Sequence, residues 1–436
     1  MKRRKFLKTT ANAIAGGFWV SSCSSFGGHA NNHIELAAIG CGRMGRNDIK
    51  NILAIAADHN ALFTSVCDVD QNRLRAARQL IEERYAEQGI RHQVKEYSDF
   101  RKLLRNRSID VVNIATPDHC HAEVAIAAAE AGKDIYLQKP LTYTIAEGRK
   151  LVKAVRDNKR VLQTGSQQRS SVYFRRVCEL VRHGKIGELK QIEVNISEDE
   201  GYGDGSPMEV PGSLDYRRWL GSAPYKPYTV DRVHPQNSFG RPGWMQVSDY
   251  THGMITNWGS HMMDIAHWGS GMDFGGPTEI EASAGYPDRG LFNVHTSLTA
   301  RNYYQNGLEL LLVSYPKNDE HVRPGVTFRG SEGWVRCERG FFSSSDRNLL
   351  RWEPKDQDRL LAVSTNHYGN FLEAVRQHKD PICPVEVGHR SNSVCILNSI
   401  SAKLRRSLRW DYTKEVFVDD PEANRFLSDM RIYDEA

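Results

Sequence analysis

Hydrophobic and polar positions follow two rhythms along this chain, and the change of rhythm divides it. Between 34 and 164, short apolar runs alternate with longer segments whose apolar residues recur every three or four positions. The runs read as buried strands and the periodic segments as helices. The strands expected are 34–39, 62–68, 93–97, 109–115, 134–137 and 160–164. The helices expected between them are 46–57, 72–88, 122–131 and 145–157, the last opened by the capping box Thr144-x-x-Glu147. Strands alternating with helices predict an α/β fold with a parallel, doubly wound Rossmann sheet, whose ligands lie outside the carboxyl ends of the strands.

Past 164 the rhythm changes. A helix is expected over 171–182. Segments 190–196, 278–286, 292–304, 308–315 and 325–329 then alternate or run apolar, with turn residues and no helix between them. That pattern predicts a second α/β domain built on a large open, mainly antiparallel sheet with helices on one face, closed by helices 368–378 and 389–404. The division expected is 34–164 for the first domain, 165–418 for the second and 419–436 for an acidic tail. Between 201 and 276 lies a long irregular stretch dense in aromatic and basic residues. Its flat rings and hydrogen-bonding groups suit a sugar. Its aromatics equally suit a small core of their own.

Charge changes the picture at the amino terminus. Lys2, Arg3, Arg4, Lys5 and Lys8 account for the whole net charge of +5, so the remaining chain is balanced and nucleic acid is not expected as a partner. Arg3-Arg4-Lys5-Phe6-Leu7-Lys8 resembles a twin-arginine export signal. An apolar stretch follows over 11–20, and Val20-Ser21-Ser22-Cys23 resembles a lipoprotein cleavage box. The expectation is a signal over 1–22, a lipid anchor on Cys23, a tether over 23–33 and a periplasmic location. Seven further cysteines, widely spaced and without C-x-x-C, read as buried free thiols rather than disulfides or a zinc site.

The candidate chemistry falls at the expected strand ends. After the first strand comes Gly40-Cys41-Gly42-Arg43-Met44-Gly45, a G-x-G-x-x-G turn leading into a helix. Gly40 allows the tight turn, Gly42 the approach of a pyrophosphate and Gly45 the close packing of helix on strand. Asp68 ends the second strand, where a carboxylate holds ribose hydroxyls and repels a 2′-phosphate. NAD is therefore expected rather than NADP, although Arg73 lies close and Asp68 also suits a helix N-cap. Thr116, Pro117 and His121 follow the fourth strand, Gln138 and Lys139 the fifth, and Gln167 the sixth; with the glycine turn, Arg43, Met44 and Asp68 they are the cofactor candidates. Lys139, fixed before Pro140, is placed to donate to a substrate oxygen. On a helix Asn257, His261, Asp264 and Trp268 share one face, and His261 suits the part of proton acceptor. A metal reading of the His-Asp-His spacing lacks further ligands, so no metal is expected. Arg169, Tyr202, Trp219, Arg232, His234 and Trp244 are the candidates for holding the substrate.

Taken together, Gly40–Gly45, Asp68, Thr116-Pro117 with His121, Lys139-Pro140, Gly259-x-His261-x-x-Asp264, Gly330-Ser-Glu-Gly-Trp334 and Gly388-His-Arg390 resemble the Gfo/Idh/MocA family (glucose–fructose oxidoreductase and inositol dehydrogenase). The resemblance runs from Ile34 to about Val418. It implies a NAD-dependent sugar oxidoreductase, a homo-oligomer through the open sheet, and catalysis by Lys139 and His261. Two positions depart from it. Gln138 stands where the family usually has Glu, and Asn257 where it usually has Asp. Both changes remove a charge, so Lys139 and His261 are expected to lack carboxylate neighbours and His261 to be less basic. The family also includes NAD-dependent glycoside hydrolases that work by transient oxidation and elimination. Those relatives lack the Lys-Pro motif, which this chain keeps. A sugar-binding lipoprotein without catalysis is the third reading.

Overall fold

The structure, a computed structural model, describes residues 33–317, 319 and 322–430. The expected signal, lipidated Cys23 and all of the tether but His33 lie outside the described residues.

Six strands form the first sheet: β1 Ile34–Ile39, β2 Ala61–Cys67, β3 Lys95–Tyr97, β4 Val111–Ile114, β5 Asp134–Leu137 and β6 Leu162–Thr164. All pair in parallel, in the order β3-β2-β1-β4-β5-β6. The order reverses between β1 and β4, and a crevice opens there at the carboxyl ends. Both faces of β1 are covered, which is why it reads as an unbroken apolar run. Leu36 and Ala38 pack with Ile49, Phe63 and Leu74 on one side; Ala37 and Ile39 pack with Val112, Val124 and Leu151 on the other. The helix His367–Gln377 returns from late in the chain to lay Phe371 and Leu372 on the first of these faces. The capping box at Thr144 forms both of its bonds.

Nine strands form the second sheet: β7 Leu189–Ser197, β8 Glu279–Gly285, β9 Ser297–Tyr303, β10 Glu309–Tyr315, β11 Gly325–Gly330, β12 Trp334–Glu338, β13 Phe341–Ser344, β14 Leu408–Asp411 and β15 Val416–Phe417. Their order is β13-β12-β11-β7-β10-β9-β8-β14-β15. Only β7 and β10 run parallel; every other neighbouring pair is antiparallel. Alternate residues of β9 and β10 are buried, so one face meets helices Val172–Arg182, Gly259–Ser270 and Val385–Leu404. The strands β12 to β15 go beyond the sequence reading. So does the carboxyl-terminal segment. Instead of trailing as an acidic tail, it forms the helix Pro421–Arg425 and buries Ala423, Phe426 and Met430 against Tyr143 and Ile145. The irregular stretch after β7 makes its own small core of Tyr216, Trp219, Leu220, Tyr228, Val247 and Tyr250.

Candidate active site

A cavity of about 1500 Å³ opens at the carboxyl ends of the first sheet. The turn after β1 forms its floor. Gly40 sits at φ +87°, and a Cβ there would stand 2.6 Å from the Ala115 carbonyl. A Cβ on Gly45 would stand 1.9 Å from the Gly40 oxygen, so Gly45 serves the packing of helix on strand and does not itself line the cavity. Gly42 caps the helix Arg43–Leu53, with no side-chain cap and no acid in the first turn. Its first N–H groups are left for an anion. Arg43 and Met44 flank this opening.

Asp68 ends β2 with both carboxylate oxygens fixed by backbone donors: the Cys41 N–H to Oδ2 at 2.6 Å and the Asp70 N–H to Oδ1 at 2.9 Å. Burial pushes its carboxyl upward. The N-cap of helix Gln71–Glu87 is Asp70, which accepts from Asn72 and Arg73, so Asp68 is not spent on capping. The turn, the uncapped helix and the fixed acid fit a dinucleotide with free ribose hydroxyls. Arg73 is held by the Pro235 carbonyl at 3.1 Å and lies 3.9 Å from Asp70.

Lys139 follows β5. Its Nζ donates to Asn257 Oδ1 at 2.7 Å, joining the loop after the first sheet to the helices that pack on the second. Asn257 ends the helix Met254–Asn257, and His261 lies in the first turn of Gly259–Ser270. Trp258, between them, keeps helical angles, so Asn257 and His261 stay one turn apart on one face. Burial holds the His261 imidazole well below its ordinary value, and the charges of Lys139 and Arg339 add to this. Its Nδ1 is buried without a partner. Burial also lowers Lys139, to about 8; Asp118 opposes that fall, while Arg339, Arg241 and Arg43 deepen it.

The expectation that Lys139 lacks a carboxylate neighbour is corrected here. Asp118, buried and bonded by the Thr251 hydroxyl at 2.8 Å, faces it electrostatically. Burial pushes Asp118 up to about 7. A second carboxylate lies behind Gln138, whose amide donates to Asp48 Oδ1 and Oδ2 at 2.9 and 3.0 Å. The Tyr368 hydroxyl donates to the same acid at 2.7 Å, and burial takes Asp48 to about 7. Asp118 lay within a stretch already singled out in the sequence. Asp48 carried no signal beyond its place in the first helix.

Residues 34–166 match the family model described as oxidoreductase family, NAD-binding Rossmann fold, and residues 200–434 match the one described as oxidoreductase family, C-terminal alpha/beta domain. The chain belongs to the Gfo/Idh/MocA family. Residues 34–166 therefore carry the family's NAD-binding fold. An inositol 2-dehydrogenase of Salmonella typhimurium is 26% identical over 213 residues, 47% of this chain and 59% of that protein. A levoglucosan dehydrogenase of Pseudarthrobacter phenanthrenivorans is 36% identical over 111 residues, 26% of this chain and 28% of that one. The matches span about half the length of the first of the curated relatives. Among solved structures, the WlbA dehydrogenase of Bordetella pertussis in complex with NADH and UDP-GlcNAcA superposes with a TM-score of 0.64 at 19% identity, covering 87% of this chain and 99% of that one. A levoglucosan dehydrogenase complex gives 0.60 at 17% identity, covering 86% and 99%. At these identities the likeness concerns the fold.

Within this Gfo/Idh/MocA site the remaining sequence candidates separate. Thr116, Pro117, Gln167, Trp219, His234 and Trp244 line the cavity. The amide of Gln167 donates to the Tyr136 hydroxyl at 3.1 Å, and His234 Nε2 lies 2.9 Å from Asp70 Oδ2. His121 also lines it, but its ring nitrogens face the Pro140 and Thr116 carbonyls at 2.7 and 3.0 Å, and burial takes it down to about 4. It braces the Lys139 loop rather than offering a polar atom to a cofactor. Arg169, Tyr202 and Arg232 are corrected: none lines the cavity. Arg169 is buried against Asp264 at 2.8 Å and Asp273 at 2.6 Å. Tyr202 is 62% exposed. Arg232 is tied to the Pro227 carbonyl at 3.1 Å and lies 3.7 Å from Asp249. No group of three His, Cys, Asp or Glu among the described residues is arranged to hold a metal, and the seven cysteines from Cys41 onward are not in disulfides.

Proposed function

We propose that this chain is a NAD-dependent oxidoreductase acting on a sugar or sugar-like polyol at a ring carbinol or ketone. The observation that carries the reading is the 2.7 Å bond from Lys139 to Asn257, which brings an ammonium and the imidazole one turn further on to the cavity that begins at the glycine turn. The bound nicotinamide supplies a hydride acceptor or donor. Lys139, oriented by Asn257, donates to the substrate oxygen and steadies its developing negative charge. His261, kept neutral by burial, takes the hydroxyl proton at Nε2, the nitrogen left to the cavity by the sealed Nδ1.

The test is to denature the purified protein, identify released nucleotide by mass spectrometry, and screen sugars for absorbance change of the bound form. Full turnover in Lys139→Ala, or a protein unable to take up NAD, overturns the reading. Aryl glycosides in the same panel expose the eliminating reaction, through aglycone release without net NADH. We further propose export and lipid anchoring at Cys23, supported by the order of the twin-arginine, apolar and cleavage segments. A membrane-fraction protein whose amino terminus lacks a lipidated Cys23 removes that proposal. A homo-oligomer through the second sheet is proposed on the family resemblance, and sedimentation of a monomer at micromolar concentration removes it.

A further inference from the structure

The turn between β12 and β13 carries Arg339 to the cavity beside the catalytic pair. Its guanidinium lies over the Trp258 indole, 4.5 Å from the ring centroid. Trp258 links Asn257 to the helix of His261, and its indole lies 6.1 Å from the His261 ring between centroids. The charge of Arg339 acts on both Lys139 and His261. Two other cations of the cavity wall are neutralised: Arg241 by Asp199 at 3.1 Å, and Lys317 by Glu200. Arg339 has no ion pair and donates no hydrogen bond among the described residues. Glu198, a further acid of the wall, makes no ion pair with it among the described residues.

Stacking on an indole uses the face of a guanidinium and leaves its edge free. That edge is a planar fork of N–H donors that matches a carboxylate in a bidentate grip. Arg339 is exposed, so water solvates this edge in the free protein; a neutral sugar seated over it would displace that water and leave the charge unpaired, with Lys139 still destabilised by it. An anionic substituent resolves both costs. The cofactor's own phosphates have their receptor elsewhere, at the uncapped helix after Gly42 beside Arg43. We propose that the substrate is a sugar acid whose carboxylate is gripped by the edge of Arg339 while its ring carbinol meets Lys139 and His261. This inference rests on the oxidoreductase reading of the same site.

The test is calorimetric titration of the NAD-loaded protein with D-glucuronate, D-glucose and inorganic phosphate, in the wild type, Arg339→Leu and Arg339→Lys. NAD affinity and melting temperature are followed in parallel. D-glucuronate is expected to bind about tenfold or more tightly than D-glucose. Arg339→Leu erases that preference, and Arg339→Lys keeps part of it, because the charge remains without the fork. NAD affinity and melting temperature stay unchanged. Equal affinity for the two sugars, binding of neither, or a preference that survives Arg339→Leu overturns the proposal. So does an equal loss of NAD affinity, which assigns Arg339 to the cofactor. Phosphate binding as tightly as D-glucuronate and depending on Arg339 overturns the carboxylate in favour of a phosphorylated sugar. NAD-dependent turnover of neutral sugars at matching efficiency removes this proposal and leaves the oxidoreductase standing, whereas a protein that takes up no nucleotide removes the oxidoreductase itself.

Discussion

Asn257→Asp is the substitution that probes the catalytic pair most directly. In the wild type the Lys139 ammonium points at a neutral amide oxygen 2.7 Å away. Aspartate keeps the shape and adds a full charge at that contact, one turn from His261. Two charges about 4 Å apart at an effective dielectric near 20 attract by about 4 kcal/mol. The new carboxylate must itself be desolvated and must share Lys139 with Asp118, which takes back roughly half of that. A remainder of about 1.4–2.7 kcal/mol raises Lys139 by about one to two pH units. In the proposed mechanism Lys139 acts as an ammonium, so activity falls as pH rises through its value, about 8 in the wild type. His261 there acts as a neutral base, so activity falls as pH drops through its own value, which burial holds well below 6.5. The expected kcat/KM profile is a bell. In Asn257→Asp the alkaline limb moves to about 9 or beyond, and the acid limb moves up by a smaller step. Lys139→Ala serves as the control and loses the alkaline limb. An Asn257→Asp protein with normal NAD content and melting temperature whose limbs both stay in place refutes the assignment.

Asp48 is raised by burial to about 7, so it favours folding at low pH and that contribution is lost as pH rises through 7. Asp48→Asn, permanently neutral, should therefore gain on the wild type by roughly 2–4 kcal/mol between pH 4 and pH 8 in denaturant titrations; a constant difference contradicts the argument. Gln138→Glu should set two carboxylates against each other at about the 2.9 Å now spanned by the amide and Asp48, costing about 2–4 kcal/mol. Adding Asp48→Asn should restore most of this, so strictly additive losses rule out the coupling. Arg169→Met strands the buried Asp264 and should cost about 3–5 kcal/mol by urea denaturation, with Arg169→Met/Asp264→Leu recovering part of it. Phe426→Ala should cost about 3–5 kcal/mol if the carboxyl-terminal segment is core, and under about 0.5 kcal/mol if it is a loose tail.

What the sequence made legible was local. The glycine turn declares itself because one backbone position needs a positive φ and another admits no side chain, and both needs are met within six residues. The capping box at Thr144 and the one-turn spacing of Asn257 and His261 are equally short-range. What stayed hidden is set by distance along the chain. The partner of Gln138 lies 90 residues away, and Asp48 is closed from its far side by Tyr368, 320 residues off. Arg169 is a substrate candidate from its place after the sixth strand alone. Its partners, 95 and 104 residues on, turn it into buried scaffolding. Composition groups Tyr202, Arg232 and Trp219 together, and it does not separate Tyr202 on the surface and Arg232 in a salt bridge from Trp219, which lines the cavity. The strands β14 and β15 are too short to show a period, and Arg339 gains its meaning only when a turn of the second sheet is laid over Trp258.

The two amides that replace the expected acids find their reason in the same long-range contacts. A glutamate at 138 would face Asp48 across a hydrogen-bond distance, an arrangement that favours a proton kept by one of the pair. An amide there donates to Asp48 and removes the conflict. At 257 the amide leaves Lys139 bonded but not ion-paired, so its value falls toward neutrality, and Asp118 supplies the remaining restraint from the other side. The acids near the two contact positions are Asp48 and Asp118, both buried and each near 7. With its value near 8, Lys139 gives up its proton close to neutrality, and the proposed anion at Arg339 would raise that value.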